Sequence, residues 1–199
     1  LKKRGIPLLF FDRTIDEIHA SQVMIDDFKG AYKAVSHLIH EGFQHIVHFA
    51  GPQHINIYRN RCMGYRKALK ESGISSDDRF IYLDCLTEEK GWKACENLLR
   101  LKSRPDAIFS ASDISALGAI KYLKEHGYGI PEDMAVVGFA NEPFTSIMEP
   151  GLTSVEQKGQ QIGDKVANLF LEEVRQPAEK RSFQKIVIEP ELIIRKSSL

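Results

Sequence analysis

Four histidines crowd into HLIHEGFQHIVH, as His37, His40, His45 and His48, and imidazole at that density raises the question of zinc. A zinc site needs four ligands converging tetrahedrally, and no Cys or carboxylate completes a set here at ligand spacing. Gly42 also parts the first pair, on a helical pattern, from the second, on a loop and strand. The expectation is packing and surface histidines, with no metal. Other chemistry lacks its pattern as well. No GxGxxG or GxxxxGKS/T follows a strand, no GxSxG elbow occurs, and no Cys has an evident His partner. No catalytic set and no cofactor are expected, so the chain does not read as an enzyme.

Three passages out of strands are more specific. FAGPQHINIYRNRCMGYRKAL (49–69) leaves through Gly-Pro and enters a helix expected to carry Arg59 and Arg61 in its first turn. Cations there oppose the helix dipole, so a ligand oxygen or an acidic ion-pair partner must compensate, and both readings stay open. SASDISALGAIKYL (110–123) sets Ser112 and Asp113 between strand and helix. Asp113 reads as the N-cap; Ser112, at the strand's carboxyl end, reads as cap or ligand contact. VGFANEPFTSIMEPGLTSVEQ (137–157) leaves a strand through small and amide side chains and returns to a lone amide, Gln157. Irregular backbone beyond a strand's carboxyl end is where open α/β folds hold small ligands.

The elements that would position these residues alternate. Apolar runs at 7–11, 22–25, 45–50, 79–83, 106–111, 134–139 and 152–155 read as strands. Helical periodicity spans 28–41, 59–72, 88–101, 113–126 and 159–175, and Gly73 and Gly127 stand where helices stop. KIVIEPELIIRKSSL reads as two short strands broken at Pro190. Strands that are short apolar runs, joined through helices, predict a doubly wound parallel α/β fold covered on both faces.

Bulk composition narrows the function classes. Lys plus Arg and Asp plus Glu both total 27, so there is no clustered positive excess with which this segment could grip nucleic acid. No run is long and apolar enough to span a membrane, and LKKRGIPLLFFD is not a signal peptide. Three cysteines at unrelated spacings (Cys62, Cys85, Cys95) suit a reduced, cytoplasmic setting. LKKRG reads as the tail of a helix with its terminating Gly, which points to a fragment lacking its N-terminal part.

The ordered motifs RGIPLLFFDR, VMIDDFKGAYKAVSHLIHEGFQHIVHFAGP, RCMGYRKALKESGI, PDAIFSASDISALGAIKYLKEHGYGIPEDMAVVGFAN and EPGLTSVEQKGQQIG resemble the lactose/galactose repressor (LacI) family over nearly the whole chain. The combination of GIPEDMAVVGF with P-x-LTSVxQ is the most specific part. The resemblance implies the effector-binding domain of a bacterial transcription regulator, with a two-lobed fold of periplasmic-binding-protein type I and an incomplete N-terminal lobe. Residues 1–26 and 158–183 would belong to the N-terminal lobe, and 27–157 and 184–199 to the C-terminal lobe. A helix-turn-helix would lie outside this chain and supply operator binding. The expected effector is a sugar or sugar derivative held in the interlobe cleft.

Carried over residue by residue, the resemblance assigns effector contacts to Asp12, Arg61, Leu86, Ser112, Asp113, Ala140, Asn141 and Gln157. Three positions depart from the family pattern: Ala140 where Asp is usual, Ser112 where Asn is common, and Leu86 where some members place an aromatic ring. A site that keeps the Arg61 fork and loses a carboxylate is expected to favour acidic or phosphorylated ligands, with Asn141 or Glu142 substituting for the missing acceptor. Leu117, Phe144, Ile147 and Met148 are expected in a two-fold interface, because they form an apolar set among polar neighbours and the resemblance implies a two-fold contact in these regions; closing the lobe's own core is the other reading. The rival reading is a periplasmic solute receptor of a transporter, which shares the fold.

Overall fold

The computed structural model describes residues 6–14 and 18–199, so the expected helix end at LKKRG lies outside the described residues. The chain forms two compact units, Leu1–Asp26 with Lys158–Pro190, and Asp27–Gln157 with Glu191–Leu199.

The smaller unit holds a parallel three-stranded sheet of β1 (Leu9–Phe11), β2 (Ser21–Ile25) and β8 (Lys185–Ile188), with β2 central. Helix α5 (Gly159–Arg175) packs on it through Ile162 and Leu169, seven residues apart and therefore on one face. Because β8 pairs with β2 from Gln22↔Lys185 to Ile25↔Ile188, the last division of the chain falls at Pro190–Glu191 and not at 183–184. The run 184–190 was assigned to the other lobe on sequence; hydrogen bonding to β2 keeps it here.

The larger unit is built on a six-stranded sheet. Its strands are β3 (Ile46–Phe49), β4 (Ile81–Tyr82), β5 (Ala107–Ser110), β6 (Ala135–Ala140), β7 (Thr153–Glu156) and β9 (Glu191–Ile193), in the order β4-β3-β5-β6-β7-β9. All neighbours run parallel except β9, which is antiparallel to β7. The expected strand at 79–83 is shorter: residues 78–80 form a 3-10 turn capped by Asp77, leaving two residues for β4.

Two helix pairs cover this sheet: α1 (Asp27–His40) with α2 (Asn56–Glu71), and α3 (Glu88–Leu99) with α4 (Asp113–Glu125). Strand alternation shows which faces they take. Val47 and Phe49 of β3 join the core with Ala94, Leu98, Ala116 and Ile120 of α3 and α4, while His48 points the other way and stacks on Tyr65 of α2. Each pair closes at a glycine. A Cβ on Gly91 would stand 2.0 Å from the Ser115 carbonyl oxygen, and one on Gly118 2.0 Å from that of Glu88, so α3 and α4 meet backbone to backbone. Gly64 does the same for α2 against Phe28 of α1.

Candidate functional site

Beyond the carboxyl ends of several strands the backbone takes up conformations that L-residues resist. Ala140, the last residue of β6, has φ 135°, and Asn141 follows at 53°. Asp84, past β4, is at 56°, and in the smaller unit Asp12, past β1, is at 60°. Left-handed non-glycine residues cost on the order of 1 kcal/mol each and persist only where other interactions over-determine them.

At β6 those interactions are visible. Asp113 is 1% exposed, and its Oδ2 accepts the Glu142 amide at 2.9 Å while Oδ1 accepts the Ser154 hydroxyl at 2.7 Å. Ser154 Oγ in turn accepts the Asn141 amide at 3.0 Å. The Asn141 side chain donates to Glu156 Oε2 at 2.7 Å, and its oxygen accepts Thr145 Oγ1 and Arg195 Nη2 at 3.1 and 2.8 Å. Burial pushes the Asp113 pKa up, opposed by the Glu142 amide and the Ser154 hydroxyl. Gly138 makes room for this carboxylate: a Cβ there would lie 2.0 Å from Oδ1.

Asp113 therefore braces the turn at 140–142 and does not cap its helix. The N-cap is Ser112, whose hydroxyl accepts the Ile114 amide at 3.2 Å. On sequence Asp113 reads as the cap, with the same role left open for Ser112. The side chain one position earlier reaches the free amide from extended backbone, while Asp113, already helical, points back at β6.

Arg61 is 3% exposed. Its Nε and Nη2 donate to Asp27 Oδ1 at 2.8 and 2.7 Å, and Nη1 donates to the Ala111 carbonyl at 2.7 Å. The guanidinium carbon stands 3.6 Å from the centre of the Phe139 ring and 5.6 Å from that of Tyr58, a desolvated cation–π arrangement. Two expectations change. Helix α2 begins at Asn56, so Arg59 alone falls in the first turn and Arg61 sits in the second, beyond the steepest part of the helix dipole. The acidic partner left open on sequence is Asp27, the first residue of α1, where a carboxylate also suits the dipole. Asp27 thus balances the Arg61 charge within the interior.

Leu86 is half-buried against Ile57, Tyr58 and Ala111, with Ile55 beside it. The strand ends of the larger unit thus bring together Arg61, Leu86 and the residues flanking Ala111, and through Asp113 they fix Ala140 and Asn141. Gln157 is half-buried directly after β7. Asp12 belongs to the smaller unit, where its amide donates to the Val23 carbonyl at 3.1 Å. Sequence reading missed Asp27, Tyr58, Phe139, Ser154 and Arg195. An Asp opening a helix was the one available signal, and nothing in the chain announced its distant partner.

The expected interface set divides. Met148 packs against the core on the α3–α4 side, Leu117 and Phe144 are half-buried, and Ile147 is 84% exposed. Ile114, one turn before Leu117, is 41% exposed and was not foreseen. The four histidines are apart in role: His37 bonds Ser198 Oγ, His45 lies 3.8 Å from Asp106, His48 is buried and His40 is exposed. Among the described residues no group of three or more His, Cys, Asp or Glu is placed to hold a metal. Nor is any helix long and apolar enough to cross a membrane.

Residues 35–198 match a family described as "Periplasmic binding protein-like domain". The HTH-type transcriptional repressor PurR of Actinobacillus pleuropneumoniae serotype 3 (strain JL03) is 33% identical over 193 residues, covering 97% of this chain and 57% of that protein. The chain thus spans little more than half the length of that relative. Among solved structures, a regulatory protein of the LacI family from Chloroflexus aggregans superposes with a TM-score of 0.91 at 30% identity, over 99% of this chain and 70% of its own. A transcriptional regulator CelR–cellobiose complex gives a TM-score of 0.89 at 32% identity, over 97% and 59%.

Proposed function

The chain belongs to the LacI family of regulators and carries its periplasmic-binding-protein-like domain, and from that premise we propose that it senses a small molecule on behalf of a transcription regulator. The effector sits against the carboxyl ends of the larger unit's strands, beside Leu86, Ser112, Ala140 and Asn141. It is a neutral sugar or sugar derivative with one apolar face. The single observation carrying this reading is the closure of Arg61 upon Asp27, which leaves the guanidinium balanced beside the apolar wall formed by Leu86, Tyr58 and Ala111. A buried site that offers few unmatched donors discriminates against ligands bearing extra charge. The cellobiose in the CelR complex, a neutral sugar, is in keeping with that class.

Operator binding, as the name of the HTH-type relative suggests, is assigned to a region outside this chain, in a cytoplasmic homodimer. The exposed Ile147 and Ile114, with Leu117 and Phe144, are its two-fold contact. A transporter's solute receptor shares the fold, but the relatives are regulators. The test is a thermal-shift panel of neutral sugars, their alkyl and aryl glycosides, and sugar phosphates. A ligand at about 100 times its Kd stabilises by about 2.7 kcal/mol, enough to move the transition by several degrees. Neutral glycosides are expected to shift the melting temperature. A response confined to sugar phosphates would defeat the reading of a balanced Arg61.

A further inference from the structure

Away from the strand ends just described, the larger unit has two adjoining cavities on the amino-terminal side of β3 and β4. They measure about 330 and 430 Å³, and both are lined by His45 and Phe80. Each falls within the range that small-molecule sites occupy. The smaller is walled by Leu69, Ile74 and Phe80, with Asp77 at its edge.

The larger cavity has a more definite chemistry. Its apolar wall is Phe80, Tyr82 and Leu101, the first two half-buried and the last 39% exposed. Around it stand three nitrogen-bearing side chains, His45, Arg79 and Lys102, with Ser103 beside them and no carboxylate in the lining. Arg79 is already oriented: its Nε and Nη2 donate to Asp77 Oδ2 at 2.8 and 2.6 Å, and Asp77 also caps the turn that delivers Phe80. His45 lies 3.8 Å from Asp106, whose carboxylate is held by the Gln44 and His45 amides. The two nearby acids thus each have partners of their own, while Lys102 extends from an exposed loop at the rim. With Arg79 balanced by Asp77, Lys102 is the net positive charge at the rim, and an aromatic floor beside it fits a flat ring that carries one anionic group.

We propose that this cavity is a second ligand site, distinct from the effector site, for a small aromatic carboxylate. The ring lies against Phe80, Tyr82 and Leu101, and the carboxylate meets Lys102 and the outer edge of Arg79. The site uses no residue of the effector face, so the two readings stand or fall separately.

The probe is indole-3-acetate, with its neutral alcohol analogue tryptophol as control, titrated into the 199-residue chain and followed by amide NMR. Saturable shifts are expected at residues 79–82 and 101–103, with tryptophol at least about tenfold weaker for want of the charge-assisted bonds. Lys102→Glu alters an exposed loop residue, so the protein stays folded, and it should weaken indole-3-acetate by about tenfold or more. Absence of saturable shifts up to about 10 mM, equal binding of tryptophol, or full binding by Lys102→Glu each overturns the proposal. Shifts confined to residues 84–86 and 111–113 also overturn it, since they would mark the effector face instead.

Discussion

Acid should loosen the larger unit through His48. The ring lies wholly buried between Tyr65 and Phe109, with centroids 5.1 and 4.8 Å away. Its Nδ1 is 3.0 Å from the Phe109 carbonyl, which can only accept, so Nδ1 carries the hydrogen and Nε2 is a bare acceptor without a partner. Burial holds the pKa down at about 4, against an ordinary 6.5. Below pH 6.5 the unfolded chain takes up a proton that the folded chain refuses, so stability falls as pH drops and levels off near pH 4. A shift of that size amounts to about 3 kcal/mol in full, of which about 2 kcal/mol is lost between pH 7 and pH 5. Trp92, the single tryptophan, lies on α3 of the same unit, so its fluorescence in urea titrations reports the right transition. His48→Phe keeps a stacked ring and removes the titration. Its stability should lack that loss of about 2 kcal/mol, whatever its value at pH 7. His37, also depressed by burial, acts in the same sense, and Asp113, raised by burial, acts in the opposite one. Both remain in wild type and variant and cancel in the difference. An equal fall in both proteins between pH 7 and pH 5 would refute the assignment.

Asp27→Ala strands the Arg61 guanidinium in the interior and should cost about 3–5 kcal/mol in urea unfolding, with Arg61→Ala of similar size. Gly138→Ala pushes a methyl onto Asp113 Oδ1 and should cost about 1–3 kcal/mol; pairing it with Asp113→Ala should restore part of that, a coupling read from a double-mutant cycle. Gly91→Ala drives α3 off the Ser115 backbone, which has no side chain to yield, and should lower the melting temperature by several degrees for each 1–2 kcal/mol or so of overpacking.

The alternation of short apolar runs with helical periodicity was enough to reveal the parallel fold, because strands buried on both faces lose their polar alternation. The run IVHF shows this, its one polar residue being as buried as the others. The last strands were harder. The pairing of β8 with β2 joins residues more than 160 apart, and no local pattern distinguishes that partner from the neighbouring sheet. At the site, Arg61 and Asp113 stood out as charges beside strand ends, and both proved buried. Their roles depended on Asp27, Ser154 and Gly138, each contributed by a different element. A cap and a brace share the same residue types, so Ser112 and Asp113 could be told apart only by backbone geometry at the helix start.

The antiparallel strand β9 lies along β7, and beyond it Arg195 reaches Asn141 while Ser197 and Ser198 bond Thr153. These residues follow β7 only after the whole of residues 158–190, which fold elsewhere. On a ribosome, β7 therefore emerges roughly 2–7 s before its outer neighbour at ordinary rates of translation. For that interval the sequence TSVE is an unprotected sheet edge, open to a strand from another nascent chain. The charge of Glu156 at its end and the brevity of the strand limit that exposure. Stalling of translation within 158–190 should therefore favour aggregation through β7 over aggregation through the already paired β3 and β5.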